Sequence, residues 1–335
     1  MTFDPRFLEK VELHVHLDTC LSYHYVKMLC PDLTLKKYQD EFITFHQCQD
    51  LGEFLSKITP QLSLLQTIQA ISFAVDDLFD QLHADNVIYA EIRFAPLLHQ
   101  NHGLSPEIVT ETVLIAMHQA THKYGIEARL ILCTLRHFTA SESMQTARLA
   151  AKYLNQGVVA LDLSADEARY PLDNHIAAFE YMYSMGGNCI AHAGEAKSHE
   201  SVTETLEKLK VTRIGHGVRC IENNHTIDQL KANNIHLEIC PTCNIICNVF
   251  KRIEEHPVNK LKKSGVNLSI NTDARTVVNT TLNKEYILLH NTFGWGHKDF
   301  IDCNLSAITA SFISLDMKKR LSDIIRNSFI KKSVD

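Results

Sequence analysis

The chain has 335 residues, of which 45% are hydrophobic and 21% charged, and it carries a formal net charge of −6. This composition is typical of a globular protein with a packed core and excludes disordered and collagen-like chains. The negative charge gives no general attraction to nucleic acid or to an anionic membrane surface, so we expect a small-molecule partner instead.

The first ten residues, MTFDPRFLEK, carry charges where a secretory signal needs an apolar segment. Every apolar run along the chain is shorter than the roughly 18 residues that a membrane-spanning helix requires. The ten cysteines are scattered, which favours free thiols in a reducing compartment. We therefore predict a cytoplasmic protein that is not embedded in a membrane. Its oligomeric state stays open.

Eight short apolar runs rich in β-branched residues alternate with longer segments of helical period. This alternation predicts βαβ units that share a parallel sheet, and eight such strands close a (β/α)8 TIM barrel of the α/β class. Barrels of this kind exceed the usual length of one domain, so we predict a single domain over residues 1–335. The eight predicted strands begin at Val11, Val87, Ile126, Val158, Asn188, Val211, Ile235 and Val266.

The first predicted strand carries His14, His16 and Asp18 at alternate positions. Because side chains in a strand alternate between faces, all three are expected to point the same way. If that face is the barrel interior, imidazoles and a carboxylate without partners would lose hydration there, and a bound metal ion would offset that loss. The alternative is a pair of hydrogen-bonded histidines on an exposed edge strand.

The connection after this strand, residues 19–85, is too long for one helix and predicts a helical insertion that covers the active site as a lid. Further along, Ser105 followed by Pro106 predicts the start of a helix, and Gly157 predicts the end of another. After the last strand, three amphipathic stretches predict helices packed outside the barrel, at residues 283–292, 299–311 and 314–329.

Polar residues recur at the carboxyl ends of the later strands, which is where barrel enzymes have their active sites. His192 and Glu195 end the fifth strand, His216 ends the sixth and Asp273 ends the eighth. A single histidine at such a place is more often structural. Agreement among several strand ends favours one shared site.

His14, His16, His192 and Asp273 form a nitrogen-rich donor set that suits zinc and leaves room for a water ligand. The fourth strand, VVALDLS, has no lysine that could be modified to bridge two metal ions. We therefore predict one Zn²⁺ per chain.

A zinc ion would lower the pKa of a bound water to about 7. His216 and Asp273 are the candidates to hold and deprotonate that water. Glu195 is the candidate general acid that hands a proton to the substrate. The alternative for Glu195 is a salt bridge exposed to solvent.

The segment HLEICPTC, residues 236–243, superficially resembles the zinc motif of cytidine-type deaminases. Its two halves lie on one strand, whereas that chemistry needs a second element to bring its thiolates to the metal. Cys240, Cys243 and Cys247 could instead form a structural zinc site. No fourth ligand is evident, so buried free thiols are favoured.

The motifs KVELHVHLD, EIRFAP, HAGE, RIGHG, EICPTCN and NTD occur together and in this order. Through them the chain resembles the adenosine deaminase family over nearly its whole length. The resemblance implies that the four predicted metal ligands bind zinc, that Glu195 protonates the purine ring at N1 and that His216 orients the attacking hydroxide. The implied reaction is hydrolytic deamination of adenosine to inosine and ammonia in purine salvage, with 2′-deoxyadenosine as a further substrate.

The resemblance also implies which residues contact the substrate. His16 lines the site, and Asp18 meets a ribose hydroxyl, which favours a nucleoside. Ala165 stands where the family has a glycine whose N–H meets N3 of the purine, and alanine keeps that N–H. Ala274 replaces a second aspartate that hydrogen-bonds N7, a contact that Arg275 or a water could supply instead.

Thr19 and Cys20 also depart from the family pattern, since they replace a small Gly-Ala pair and could narrow the ribose pocket. These departures keep other substrates open, namely an N6-substituted or 5′-modified adenosine, or adenine. A barrel that has lost catalysis and acts as a binding protein is the remaining alternative. The complete set of metal and proton-transfer residues argues against it.

Overall fold

The computed structural model describes residues 3–334, and its eight strands form one sheet in chain order. Every neighbouring pair of strands is parallel. The strands are β1 Lys10–His16, β2 Val87–Phe94, β3 Glu127–Leu135, β4 Val158–Ser164, β5 Asn188–Ala193, β6 Arg213–His216, β7 His236–Ile239 and β8 Asn267–Ile270. Each strand overlaps the run predicted for it.

The first and last strands meet through the residues that follow β8. Val15 pairs in parallel with Asp273. The amide of His16 donates to the carbonyl oxygen of Asp273 at 3.1 Å, and the amide of Asp273 donates to the carbonyl oxygen of His14 at 2.8 Å. This pairing closes the sheet, which confirms the predicted (β/α)8 barrel, and it brings His14, His16 and Asp273 side by side.

Helices follow the strands in the order expected of a (β/α)8 chain. Their bounds are α1 Tyr23–Leu29, α2 Leu35–Phe42, α3 Leu51–Ser56, α4 Thr59–Leu64, α5 Ile68–Ala84, α6 Pro106–Tyr124, α7 Ala140–Lys152, α8 Ile176–Ser184, α9 His199–Leu209, α10 Asn224–Ala232, α11 Pro241–Ile246, α12 Val258–Lys263, α13 Leu282–Phe293, α14 His297–Ala310 and α15 Leu315–Val334.

The connection between β1 and β2 is helical, as predicted, but only part of it covers the barrel. Leu51, Phe54 and Leu55 of α3, with Ile58 and Leu62 of the following turn and α4, line a cavity that the barrel residues also line. α5 instead packs beside α6. The covering segment is therefore α3 and α4, whereas α5 belongs to the outer layer of helices.

The predicted helix start at Ser105 is confirmed, whereas the predicted helix end at Gly157 is wrong. Ser105 Oγ accepts a hydrogen bond from the amide of Ile108 at 3.3 Å, and Pro106 opens α6. α7 already ends at Lys152. Gly157 lies in the turn before β4 with φ +115°, where a Cβ would lie 2.8 Å from Leu114 Cδ2. The glycine is needed for that turn and for close packing on α6.

The three predicted C-terminal helices are confirmed as α13, α14 and α15. Ile308 of α14 and Leu321 of α15 are buried in one cluster with Val11 and Leu13 of β1. α14 and α15 therefore pack against the first strand of the barrel. In the part of the chain that the structure describes, no helix is both long and apolar enough to cross a membrane.

Candidate active site

A cavity of about 170 Å³ lies among residues that end or follow the strands. Its polar wall contains His16, His192, Glu195, His216 and Asp273. The apolar side chains of α3 and α4 form the opposite wall. The cavity is therefore enclosed by the carboxyl ends of the strands on one side and by the insertion on the other, which is the usual location of a barrel active site.

The polar residues predicted for the first strand lie in two different kinds of backbone. His14 and His16 lie on one face of β1, as the alternation predicts. Asp18 does not, because β1 ends at His16 and Asp18 lies in a short 3₁₀ turn. The prediction that strand alternation orients Asp18 is therefore wrong, although Asp18 lines the cavity. Its Oδ2 lies 3.6 Å from His99 Nε2.

The four predicted metal ligands converge at one point. Asp273 Oδ1 lies 3.5 Å from His14 Nε2 and 3.4 Å from His16 Nε2. His16 Nε2 lies 3.4 Å from His192 Nε2. Ligand atoms of His14, His16 and His192 form one group within 4.8 Å of one another, and those of His14, His216 and Asp273 form a second group of the same size.

This convergence fits a metal ion on physical grounds. His14 Nε2 is fully buried and has no hydrogen-bond partner among the described residues. A buried nitrogen of this kind lacks the stabilisation that a cation would give it. Burial lowers the pKa of His16 to about 3, so its imidazole is neutral, which is the state in which histidine binds metal. Three imidazoles and one carboxylate are a donor set that suits zinc.

Two buried carboxylates orient the histidine rings from behind. Glu238 Oε2 lies 2.9 Å from His14 Nδ1, and Asp162 Oδ1 lies 3.2 Å from His192 Nδ1. Each carboxylate accepts a hydrogen bond from the Nδ1–H group, which leaves Nε2 free to face the convergence point. Arg93 joins the two carboxylates, since it donates to Asp162 Oδ2 at 3.0 Å and to Glu238 Oε2 at 2.6 Å.

Electrostatics keep these carboxylates ionised. Burial alone would raise the pKa of Glu238, but the guanidinium groups of Arg213 and Arg93 hold it well below its ordinary value. Arg213 also pairs with Glu91. This network was not predicted from the sequence. The available signal was the presence of charged residues inside apolar strands, as in VIYAEIRF and VVALDLS.

Gly215 of β6 gives the histidine rings their space. A Cβ at this position would lie 2.9 Å from His14 Cε1 and 3.1 Å from His192 Cγ. Real side chains almost never approach so closely, so any larger residue would displace the two rings. Gly215, which lies within the motif RIGHG, therefore permits the rings of His14 and His192 to converge.

Glu195 is buried and lies beside His216. Its Oε2 is 3.6 Å from His216 Nε2, and its Oε1 accepts a hydrogen bond from Asn244 Nδ2 at 3.3 Å. Burial raises the pKa of Glu195 well above its ordinary value, and the nearby carboxylates of Asp273 and Glu167 raise it further. Its surroundings therefore favour the protonated form of the Glu195 carboxyl group. The alternative of an exposed salt bridge does not hold.

A chain of hydrogen bonds fixes the proton of His216. The amide of Val258 donates to His256 Nδ1 at 3.2 Å, so the proton of His256 lies on Nε2. That Nε2–H donates to Asn244 Oδ1 at 3.2 Å, which directs the amide Nδ2 of Asn244 to His216 Nδ1 at 3.1 Å. His216 Nδ1 is thus an acceptor, and its Nε2 carries the proton that faces the cavity.

One carboxylate holds the loop that carries Glu195. Glu167 accepts hydrogen bonds from the amides of Gly194 at 3.0 Å, Glu195 at 2.6 Å and Lys197 at 2.9 Å. It also accepts one from Ser201 Oγ at 2.6 Å. Glu167 was not predicted from the sequence, although it lies two residues after Ala165. No local pattern shows that this side chain reaches the loop after β5.

The two substituted alanines both line the cavity. Ala165 has φ +76°, a left-handed conformation that glycine adopts at a lower energetic cost than alanine. Ala274 packs in an apolar cluster with Phe54 and Val277. Arg275 points elsewhere, since its Nη2 donates to Asp85 Oδ2 at 2.6 Å. The alternative in which Arg275 replaces the missing aspartate is therefore wrong, because this buried ion pair holds its guanidinium away.

The side chains of Thr19 and Cys20 have different surroundings. Thr19 lines the cavity. The thiol of Cys20 instead faces the carbonyl oxygen of Asp273 at 3.7 Å. Only Thr19 can therefore narrow the substrate pocket, because its side chain is larger than the glycine of the family pattern.

The three cysteines near β7 do not form one site. Cys240 Sγ faces the carbonyl oxygen of Glu238 at 3.6 Å. Cys243 Sγ donates to Asp273 Oδ2 at 2.8 Å and lies 3.7 Å from Cys247 Sγ. All ten cysteines are free thiols, as predicted. His236 bonds Ser269 Oγ at 3.0 Å, and Glu238 orients His14. The segment therefore supplies no cytidine-deaminase type of zinc site.

Comparison with known proteins finds similarity over nearly the whole chain. The family profile described as adenosine deaminase matches residues 9–328. An adenosine deaminase of Clostridium botulinum is 34% identical over 326 residues, which cover 95% of this chain and 97% of that protein.

Three solved structures share the fold at lower identity. An adenine deaminase from Arthrobacter aurescens has a TM-score of 0.88 at 22% identity and covers 97% of this chain and 99% of its own. A zinc-bound amidohydrolase from Burkholderia ambifaria has a TM-score of 0.87 at 19% identity, with 98% and 94% covered. An N6-mAMP deaminase from Arabidopsis has a TM-score of 0.84 at 23% identity, with 96% and 98% covered.

Proposed function

Because the chain belongs to the adenosine deaminase family and is a hydrolase that acts on carbon–nitrogen bonds, we propose that it deaminates adenosine to inosine and ammonia with the help of one zinc ion. The observation that carries the proposal is the position of Glu195, a buried carboxyl group within 3.6 Å of His216 in the same cavity as the converging ligands. One domain over residues 1–335 and a cytoplasmic location belong to the same proposal.

We assign the zinc to His14, His16, His192 and Asp273. When bound, the ion supplies a positive charge that lowers the pKa of a water in the site to about 7. Burial alone would raise the pKa of Asp273, but the hydrogen bond and charge of His14 hold it well below its ordinary value. Asp273 therefore stays a carboxylate that can both bind a cation and accept a proton.

Glu195 donates the proton that the purine ring needs. Attack at the carbon that bears the amino group places electrons on the neighbouring ring nitrogen, and a proton on that nitrogen stabilises them. The raised pKa of Glu195 keeps the proton available on its carboxyl group. Asn244 holds the other oxygen at 3.3 Å, so the carboxyl group keeps one orientation.

His216 acts as a hydrogen-bond donor. Because its Nδ1 accepts from Asn244, its Nε2–H faces Glu195 and Asp273, at 3.6 and 3.9 Å. Burial lowers the pKa of His216 well below its ordinary value, so it stays neutral. A neutral donor in this place orients the attacking oxygen and stabilises its charge. Asp273 then removes the proton from the attacking water. His216 only orients that water, whereas the sequence suggested that it could also help to deprotonate it.

Glu167 should position Glu195 for proton transfer. Replacing Glu167 with glutamine turns one acceptor oxygen into an amide that cannot accept the loop's N–H groups. We expect kcat to fall about 10- to 100-fold, with zinc content and KM nearly unchanged, because a displaced catalytic group typically loses that much. Steady-state kinetics with metal analysis checks this.

The matched control is Ser201→Ala, which removes a single hydrogen bond to the same carboxylate. It should lower kcat by less than Glu167→Gln does. Equal effects of the two variants, or a fall in zinc content in Glu167→Gln, would contradict a positioning role for Glu167.

Asp18 favours a nucleoside over the free base. It lines the cavity at the end of the first strand, where a sugar hydroxyl could donate to its carboxylate. Two further substrates remain candidates because structural neighbours act on them, namely adenine and N6-methyl-AMP. The apolar surroundings of Ala274 are compatible with an alkylated amino group.

A panel of adenosine, 2′-deoxyadenosine, adenine, N6-methyladenosine and N6-methyl-AMP tests the proposal. We expect adenosine to have the highest kcat/KM, measured by ammonia or methylamine release and by the change in ultraviolet absorbance. The variant Asp18→Asn should lose more activity with adenosine than with adenine. A zinc-loaded protein that releases ammonia from none of these compounds would refute the deaminase.

A further inference from the structure

Two cysteine thiols lie directly behind the catalytic carboxyl group and take no part in the mechanism above. Cys243 lies in α11, and Cys247 follows the end of that helix. The amide of Cys247 donates to the carbonyl oxygen of Cys243 at 2.8 Å, so one helical turn places both side chains on the same face. Their Sγ atoms are 3.7 Å apart.

This separation fits a shared metal ion. A tetrahedral ion with Zn–S bonds of about 2.3 Å holds two sulfurs about 3.8 Å apart. A disulfide would require about 2.0 Å instead. The Cys243–Cys247 pair therefore has the spacing of two thiolates on one cation, without any movement of the helix.

The pair has a third donor and a neighbouring fourth. A carboxylate oxygen of Glu195 lies within 4.8 Å of both Sγ atoms, and all three residues are buried. Asp273 Oδ2 lies 2.8 Å from Cys243 Sγ, while Asp273 Oδ1 faces the histidines. Two sulfurs and carboxylate oxygen select thiophilic cations such as Zn²⁺ and Cd²⁺ over Mg²⁺ or Ca²⁺.

A second cavity lies beside Cys247 and Glu195. It has a volume of about 210 Å³ and is lined by Cys247, Glu195, Asp50 and Asp166, among others. Arg169 also lines it, but its charge is balanced by ion pairs with Asp50 and Asp166 at 3.3 Å. A cation could reach Cys247 and Glu195 from this side, apart from the substrate cavity.

We propose that Cys243, Cys247 and Glu195 form a second, inhibitory site for a thiophilic divalent cation. Binding forms two metal–sulfur bonds and one metal–oxygen bond, and the protons of the two thiols and of the carboxyl group pass to solvent. The ion is then bound by the carboxylate of Glu195, which can no longer carry the proton that the reaction needs. The inhibition rests on the proposed function, whereas the binding does not.

The experiment titrates the zinc-loaded protein with Cd²⁺ and follows the ultraviolet charge-transfer band of sulfur–cadmium bonds, with bound zinc and cadmium measured by elemental analysis. We expect uptake of one cadmium per chain with zinc retained. The band should disappear in Cys243→Ser and in Cys247→Ser. It should remain in Cys240→Ser, the matched control, because that thiol faces a carbonyl oxygen of β7.

A band that persists in Cys247→Ser, or cadmium uptake that equals the loss of zinc, would overturn the site. If Cys243→Ser fails to fold, Cys247→Ser decides alone. Inhibition is measured for each protein as its rate with cadmium relative to its own rate without it. Equal inhibition of wild type and Cys247→Ser overturns the inhibitory role. A wild type without deaminase activity contradicts the proposed function and leaves the band as the test of the site.

Discussion

The variant Glu195→Gln is expected to lose about 10²- to 10⁴-fold in kcat/KM for adenosine, the range typical of a lost general acid, while its zinc content stays unchanged. Glutamine has nearly the same shape but carries no proton that it can transfer. Glu195 lies outside the proposed ligand set, so its replacement should leave the metal in place. The protein should also keep its fold, because burial opposes ionisation of this side chain in the wild type.

The pH profile gives an independent readout of the same role. Only the protonated carboxyl donates, so the wild-type rate should fall as pH rises through the raised pKa of Glu195, and Glu195→Gln should lack that alkaline decline. The control is Glu200→Gln, an exposed glutamate five residues later. Near-normal activity in Glu195→Gln, or loss of zinc, would remove Glu195 from its role.

The barrel could be predicted from sequence because its signal is local. Each strand is a short run of apolar and β-branched residues between helical segments, and eight such runs suffice for closure. Predictions failed where tertiary packing decides the backbone. Gly157 serves a turn that packs on Leu114 rather than a helix end. Asp18 lies outside the strand because β1 ends at His16.

The predicted site residues come together because strand ends converge in a barrel by necessity. The groups that orient them could not be predicted, since each depends on a contact between distant parts of the chain. Glu238 lies 224 residues from His14, and Glu167 lies 28 residues from Glu195. A charged residue in a buried strand indicates that it has a partner elsewhere in the fold. Only the folded chain identifies Arg93 as the link between the carboxylates behind the histidines.

Removing the metal is expected to abolish deamination and to lower the melting temperature. Without a cation, His14 Nε2 is buried with no hydrogen-bond partner among the described residues, and Asp273 Oδ1 lies 3.5 Å from that nitrogen and 3.4 Å from His16 Nε2. A ligand that binds only the folded state stabilises it by about 4 kcal/mol when its free concentration is 1,000 times its Kd. Activity should return after addition of about one equivalent of Zn²⁺, as expected of a single four-ligand site.

The variant His16→Asn separates ligand loss from damage to the fold. Its ring is partly exposed in the cavity, so the replacement should weaken zinc binding while the barrel persists. Titration with zinc should then require a higher concentration to restore the melting temperature. The control His24→Asn removes an exposed histidine and should titrate like the wild type. Metal-free protein that keeps its activity would refute the zinc dependence. An unchanged zinc requirement in His16→Asn would refute the assignment of that ligand, because the remaining donors would then suffice.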